Sequence, residues 1–238
     1  MTELEKLDRE LVEGTVIERL NRFVLRVQFN EHVDDVHLSD PGALVGLVNS
    51  GATVLCAEAT GAHRSTRYDA IAVDVAGAYV SLRPAFANEL FAAAVESECL
   101  PQFLGYEIDV REPNLPDHGR TDFKLISPVG GDVLVEVKSC THVDEGVAKF
   151  PDRQSQRARR HVQALIDLAE QGTESHVVFV IQRADAVGFQ PYRAIDAAFA
   201  DALRSARNSG VGIHAMATSF KPPSYYLEAS SVPVEMAT

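Results

Sequence analysis

The stretch Arg120-Thr-Asp-Phe-Lys-Leu-Ile-Ser-Pro-Val-Gly-Gly-Asp-Val-Leu-Val-Glu-Val-Lys138 decides how this chain is read. Ser-Pro-Val-Gly-Gly is a turn, and the runs on either side of it are two paired strands. In the second run Val133, Val135 and Val137 share one face, while Leu134, Glu136 and Lys138 share the other. In the first run Phe123 and Leu125 face one way, Asp122 and Lys124 the other. With the turn centred on Val129, Asp122 falls opposite Glu136 by symmetry. Directly opposed Cβ atoms lie about 4.5–5.5 Å apart. Two carboxylates that close repel, and one is driven toward protonation unless a cation lies between them. A divalent metal with hard oxygen ligands, Mg²⁺ or Mn²⁺, resolves the conflict. Lys138 leans toward the same site, where an ammonium orients water and stabilises charge on a phosphoryl group. The competing reading is a wet edge strand carrying Glu and Lys.

Downstream of the hairpin, Phe150-Pro-Asp-Arg-Gln-Ser-Gln-Arg-Ala-Arg-Arg-His161 leads into a helix predicted over residues 153–171. On a wheel of about 100° per residue, Arg153, Arg157 and Arg160 form one narrow stripe. Ala158, Val162, Leu165, Ile166 and Ala169 form the opposite, apolar face. No acidic residue relieves the stripe before Asp167. Guanidinium groups so arranged fit a phosphate backbone; the plain alternative is a solvated helix face. His161 sits on the border between the two faces.

Upstream, residues 11–83 are short apolar runs punctuated by Gly42, Gly46, Gly51, Gly61 and Gly77. Strands are predicted at 14–19, 23–28, 35–38, 53–58, 70–74 and 78–82, the spacing of a small β-barrel. That barrel is predicted to be separate, with none of its strands in the sheet of Val133–Lys138. After Arg83-Pro84 the pattern turns to α/β: helices at 88–98 and 195–207, strands at 105–110, 177–181 and 212–217. The division predicted is a barrel domain over 1–85 and an α/β domain over 86–238.

The composition agrees with this. The 238 residues are 46% hydrophobic and 24% charged, a globular balance. No run approaches the ~18–20 apolar residues of a membrane span, and the charged N-terminus is unlike a secretory signal. Three cysteines without a CxxC pair exclude a zinc knuckle and point to a reducing, cytoplasmic setting. The net charge of −12 argues against indiscriminate polyanion binding, although local charge decides that matter. Neither GxGxxG, GxxxxGK[ST] nor GxSxG occurs, so dinucleotide, P-loop and α/β-hydrolase chemistry have no foothold.

With RTDF, VEVKS and FPDxxSxRxxxH together, the chain resembles the sugar fermentation stimulation protein A family from Asn21-Arg-Phe to its last strand. The matching positions are Arg120, Asp122-Phe123, Glu136-Val-Lys138-Ser139, Phe150-Pro-Asp152, Ser155, Arg157 and His161. The resemblance implies an N-terminal OB-like barrel followed by a restriction-endonuclease-like domain similar to PD-(D/E)xK nucleases, with DNA as partner and a link to sugar metabolism. It implies Asp122, Glu136 and Lys138 as the catalytic triad, Asp122 and Glu136 being the metal ligands. In such nucleases a Glu from the preceding helix can complete the metal site, and the candidates here are Glu89, Glu96 and Glu98. Arg120, Arg153, Arg157, Arg160 and His161 are the candidate nucleic-acid contacts. The barrel departs from the family pattern at Ser39-Asp-Pro-Gly42 and over Ser81–Asn88, where only the later Asn is kept; Ala158 replaces a Gly. Base stacking on the barrel would fall to Phe23, Phe29, Tyr68 or Tyr79.

Three functions follow: a Mg²⁺- or Mn²⁺-dependent nuclease, a non-catalytic DNA-binding regulator that keeps the nuclease fold, and an acidic module that binds a basic protein. The intact Asp-Glu-Lys set favours the first.

Overall fold

The computed structural model describes residues 1–61, 64–115 and 119–236. Strands β1 (Thr2–Lys6), β2 (Val12–Asn21), β3 (Val24–Gln28), β4 (Val33–His37), β5 (Thr53–Glu58), β6 (Tyr68–Val75) and β7 (Ala78–Ser81) precede helix α1 (Phe86–Glu96). Then come β8 (Glu107–Arg111), β9 (Asn114–Leu115), β10 (Gly119–Arg120), β11 (Phe123–Ile126) and β12 (Asp132–Cys140). The rest is β13 (Val143–Asp144), β14 (Val147–Phe150), α2 (Gln156–Glu170), β15 (Glu174–Ile181), β16 (Gly188–Pro191), α3 (Ala197–Asn208), β17 (Gly212–Lys221) and β18 (Ser224–Ala229).

The strand order β4-β3-β2-β5-β6 closes on itself, because β4 also pairs with β6 through Val36↔Tyr68 and His37↔Asp69. This is the small closed barrel of an OB fold. Its inward residues, among them Val16, Leu25, Val27, Val36, Val54 and Val73, form a core of their own. Closure leaves no free edge within the barrel.

The C-terminal part is an α/β sandwich. Its sheet runs β8-β11-β12-β15-β17, with β12, β15 and β17 parallel. Helix α1 covers one face, where Leu90, Phe91 and Val95 meet Val133, Val135, Val137 and Val178. Helices α2 and α3 cover the other, where Val162, Leu165, Phe199 and Leu203 meet Leu134, Val177 and Phe179. A strand buried on both faces reads as a nearly unbroken apolar run, as β12 and β15 do. The short strands β13, β14 and β16 form a separate sheet beside them.

Two expectations need correction. The barrel is not in a sheet apart from Val133–Lys138: β7 touches β17 at the single pair Phe220↔Tyr79, which joins all these strands into one network. The cause is length, since the ten-residue β17 runs past its parallel neighbours to the β6–β7 hairpin. Nor does the first strand belong with the barrel. β1 pairs with β18, so the chain begins on the C-terminal sheet and enters the barrel only at β2. Neither β1 nor β18 is among the strands predicted: β1, Thr-Glu-Leu-Glu-Lys, has one apolar residue, and β18 follows Pro222-Pro223 directly after β17.

A clasp also binds the two parts. Asp152 accepts from the Leu44 amide of the barrel at 3.0 Å, and Arg153 donates to the Pro41 carbonyl at 2.8 Å. Asp40 accepts from the Gly42 amide; burial, with the charge of Asp152 adding to it, pushes its pKa up to about 6. A Cβ at Gly42 would lie 2.7 Å from Asp152 Oδ2 and 2.8 Å from Asp40 Oδ1, so only glycine fits between the two carboxylates.

Candidate functional site

The β11–β12 register is Phe123↔Val135, Lys124↔Leu134, Leu125↔Val133 and Ile126↔Asp132, symmetric about Val129. Continued by one residue it sets Asp122 opposite Glu136, as the turn symmetry predicts. β11 begins only at Phe123, while its partner β12 runs on past Val135 to Cys140. Asp122 takes over just ahead of that start: its Oδ2 accepts from the Val137 amide at 2.8 Å. Its Oδ1 accepts from Asn88 Nδ2, on α1, at 3.0 Å.

Glu136 is 2% exposed, set within the apolar run Val133–Val137 of β12. Its Oε2 accepts from the Thr121 hydroxyl at 3.1 Å, the same hydroxyl lying 3.0 Å from the Val135 carbonyl. Its Oε1 meets both Lys138 Nζ and His161 Nδ1. His161 Nε2 in turn faces Arg157 Nε at 3.4 Å. With Arg157 donating to Nε2, the imidazole donates from Nδ1 to Glu136, which fixes its tautomer.

The two carboxylates are unequal. Burial, and then the charge of Glu136, raise the pKa of Asp122. Burial also pushes Glu136 upward, but the His161 hydrogen bond and the Lys138 charge outweigh it and hold Glu136 below its usual range. The site therefore carries one firmly ionised carboxylate and one whose charge is disfavoured, a pair whose conflict a cation relieves.

The pair lies where two clefts meet. One, of about 930 Å³, is lined by Arg120, Asp122, Arg157, Arg160 and His161. The other, of about 790 Å³, runs between barrel and sandwich past Arg22, Asn88, Glu136, Lys138 and Arg153. Asp122 and Arg157 line both.

Several candidate residues lie elsewhere than anticipated. Glu89 and Glu96 are paired with Arg111, at 2.6 and 3.8 Å, and Glu98 is an exposed residue past the end of α1. The α1 side chain that reaches Asp122 is Asn88, the one Asn kept from the family's stretch, and Thr121 joins it as a second residue the sequence reading missed. Arg153 is not on the helix: α2 starts at Gln156, with Ser155 as its N-cap accepting from the Ala158 amide at 3.1 Å. The three-arginine stripe is thus two residues, Arg157 and Arg160, with Arg153 turned to the barrel. Arg120 pairs with Glu112 at 3.2 Å. Glu112 and Asp167 also line the larger cleft, so its walls are mixed in sign rather than uniformly basic. Phe29 and Tyr68 are buried and tilted against each other, which removes them as stacking surfaces.

The donor set suits a hard divalent cation. Both Asp122 oxygens and Glu136 Oε2 accept one hydrogen bond each and have room for a cation, while Glu136 Oε1 is taken by Lys138 and His161; Mg²⁺ commonly takes one or two carboxylates, leaving its other positions to water and phosphate. Among the described residues no group of three or more His, Cys, Asp or Glu side chains is placed to hold a metal ion. Among the same residues, no helix is long and apolar enough to cross a membrane.

Comparison with known proteins places this geometry. Residues 17–82 match the SfsA N-terminal OB domain, and residues 85–224 match the sugar fermentation stimulation protein RE domain. A sugar fermentation stimulation protein homolog of Chloroflexus aggregans is 38% identical over 95% of this chain and 86% of its own. One of Methanothermobacter thermautotrophicus is 36% identical over 84% of this chain and 82% of its own. The structure of Pyrococcus furiosus SfsA in complex with Ca²⁺ covers 99% of this chain and 100% of its own, at 26% identity and a TM-score of 0.90. An OB barrel joined to an α/β sandwich, the two matching the two domains of one family in order, with relatives matched over most of their length, makes this chain a member of the sugar fermentation stimulation protein family.

Proposed function

We propose that this protein binds nucleic acid, DNA foremost, and hydrolyses its phosphodiester bonds with Mg²⁺ or Mn²⁺ held by Asp122 and Glu136. The observation that carries this reading is the juxtaposition of Asp122, Glu136 and Lys138 at the junction of two clefts with Arg157 on both. The Ca²⁺ in the Pyrococcus furiosus relative supports a divalent cation in this family.

The cation would supply a Lewis acid at the scissile phosphate. The chain supplies the rest. Asn88 and the Val137 amide aim Asp122. Thr121 and His161 aim Glu136. The Lys138 ammonium positions a water and stabilises the charge that builds on the phosphoryl oxygens. Arg157 and Arg160 hold phosphates of the strand in the larger cleft, and Arg120 stands at its rim.

One observation favours a second reading. Lys138 and His161 both meet Glu136 Oε1, which compensates that carboxylate without any metal. A non-catalytic DNA-binding regulator would have such a site. Labelled DNAs and RNAs incubated with Mg²⁺, Mn²⁺ or EDTA separate the two. Cleavage with metal, lost in EDTA and in Asp122→Asn, supports the nuclease. Binding that persists in EDTA, with no cleavage in either metal, gives the regulator its place.

A further inference from the structure

The smaller cleft opens beside the tip of the β2–β3 hairpin, Asn21-Arg22-Phe23. Arg22 lines the cleft together with Lys138. Phe23 is 39% exposed, and the Arg22 guanidinium lies over its ring at 4.6 Å. A solvent-facing Phe is common by itself, but this tip is held unusually firmly for a hairpin turn. The Asn21 side chain accepts from the Phe23 amide at 2.8 Å. Arg19 donates to the Asn21 and Arg22 carbonyls, and across the gap to those of Gly42 and Ala43 at 2.9 and 3.0 Å. Gly42 belongs to the clasp that Asp152 and Arg153 make with the barrel. The tip is therefore tied, through Gly42 and Ala43, to the barrel segment that Asp152 and Arg153 hold, rather than carried on a loose loop.

An aromatic ring capped by a guanidinium offers π-faces to a base, and its prior ordering lowers the entropy lost on contact. Of the four barrel aromatics named from the sequence, Phe29 and Tyr68 are buried in the core, and Tyr79 lies on the β7 side, against β17. Tyr68 has Arg67 over its ring at 5.1 Å but is only 5% exposed; Phe23 alone among the four is an exposed ring, and its neighbour Arg22 lines the smaller cleft. We infer that Arg22 and Phe23 form a base-stacking clamp for the strand that passes through the smaller cleft, so that the substrate has unpaired bases on the barrel side of the site: a single strand, or the single-stranded arm of a forked duplex. This rests on the reading of the clefts as a nucleic-acid site, and it does not depend on turnover.

The test uses the full chain in EDTA, where binding is read without cleavage. The probes are a short oligothymidylate, the same oligonucleotide carrying 2-aminopurine, and a blunt duplex. Phe23→Ala should weaken oligothymidylate binding by about 5- to 100-fold, the range for one lost base–aromatic stack, and leave the blunt duplex unchanged. Phe23→Trp should restore the single-strand affinity and quench the 2-aminopurine. Arg22→Ala should give a smaller loss on the same probe. Circular dichroism of each variant checks the fold, which an exposed tip position should not disturb. If Phe23→Ala binds oligothymidylate as wild type does, while Arg157→Ala binds it more weakly, the clamp is overturned and the cleft reading stands. If wild type binds neither single strand nor duplex at low salt, both fall.

Discussion

Two clusters of histidine and carboxylate lie on opposite faces of the same sheet. On the α2 face, Glu136 meets His161 and Lys138, with Asp122 across the strand. On the α1 face, beside Val135, His176 Nε2 meets Glu174 at 3.0 Å and its Nδ1 meets His214 Nε2 at 3.1 Å. The second cluster is closed. Tyr106 donates to Glu174, Phe103 packs edge-on to both imidazoles, and a Cβ at Gly212 would lie 2.1 Å from His176 Nδ1. Burial depresses the pKa of both histidines, that of His214 to about 4, with no carboxylate on His214 to offset it. The first cluster is open. Its groups line two clefts, and its carboxylates keep acceptor capacity that no protein donor fills. The same residue types thus serve packing where their hydrogen bonds close on one another, and remain available for chemistry where they do not.

The largest effect should come from breaking the open cluster. Asp122→Asn keeps the shape but removes a ligand charge, so metal-dependent cleavage should vanish and metal binding by calorimetry should weaken. Affinity for DNA in EDTA should stay the same or rise slightly, because a negative charge facing phosphate is gone. Cleavage at the wild-type rate in this variant would assign the activity to another site.

Next in size, Lys138→Ala should leave the metal bound and lower turnover by roughly two orders of magnitude, the scale of losing one transition-state stabiliser. Single-turnover kinetics at saturating metal would measure this. A loss confined to metal affinity would recast Lys138 as a partner that only positions Glu136.

The closed cluster should reveal itself through pH. Unfolded histidine takes up a proton near pH 6.5, whereas folded His214 resists until about pH 4. Below pH 6.5 the unfolded state therefore binds the additional proton, and stability falls across the window from 6.5 to 4, with no further loss from this group below it. At pH 5 the effect of His214 is about 2 kcal/mol, and His176 shifts in the same direction. Denaturant titrations of wild type and His214→Phe should diverge in this window. Parallel curves would show that the imidazoles are freely protonated in the native state.

The smallest effect concerns the arginines. Replacing Arg157 and Arg160 by Ala should reduce the salt dependence of duplex binding by about two, at roughly 0.9 per phosphate contact. Arg153→Ala should leave that slope nearly unchanged, since its guanidinium is spent on Pro41. Equal slopes for wild type and both variants would return the helix to a solvated face.

Much of this was legible in the letters. The hairpin register followed from the symmetry of Ser127–Gly131, because the side-chain period of two leaves no choice once the turn is placed. The apolar stripe of α2 followed from the helical period, and Ala158, Val162, Leu165 and Ile166 are buried as that period requires. The start of α2 was not legible, since an arginine before the cap and one after it look alike on a wheel drawn without Ser155 as its origin. The helix contribution to Asp122 was not legible either: the family resemblance points to a helix carboxylate, whereas the α1 side chain that arrives there is the Asn88 amide.

What the sequence determined by itself was local: alternation, period, turn and composition, which together specify a barrel, a sandwich and an acid–acid–lysine hairpin. Those signals arise within about ten residues and need no partner to be read. What only the tertiary structure decided was long-range. It paired β1 with β18 and tied Asp152 to Leu44 across the chain. It brought Asn88 and Thr121 to the carboxylates, and His161 to Glu136. The physical reason is that such contacts form between segments far apart in sequence, where the energy of burial and hydrogen bonding depends on how whole layers pack and leaves no periodic trace in either segment.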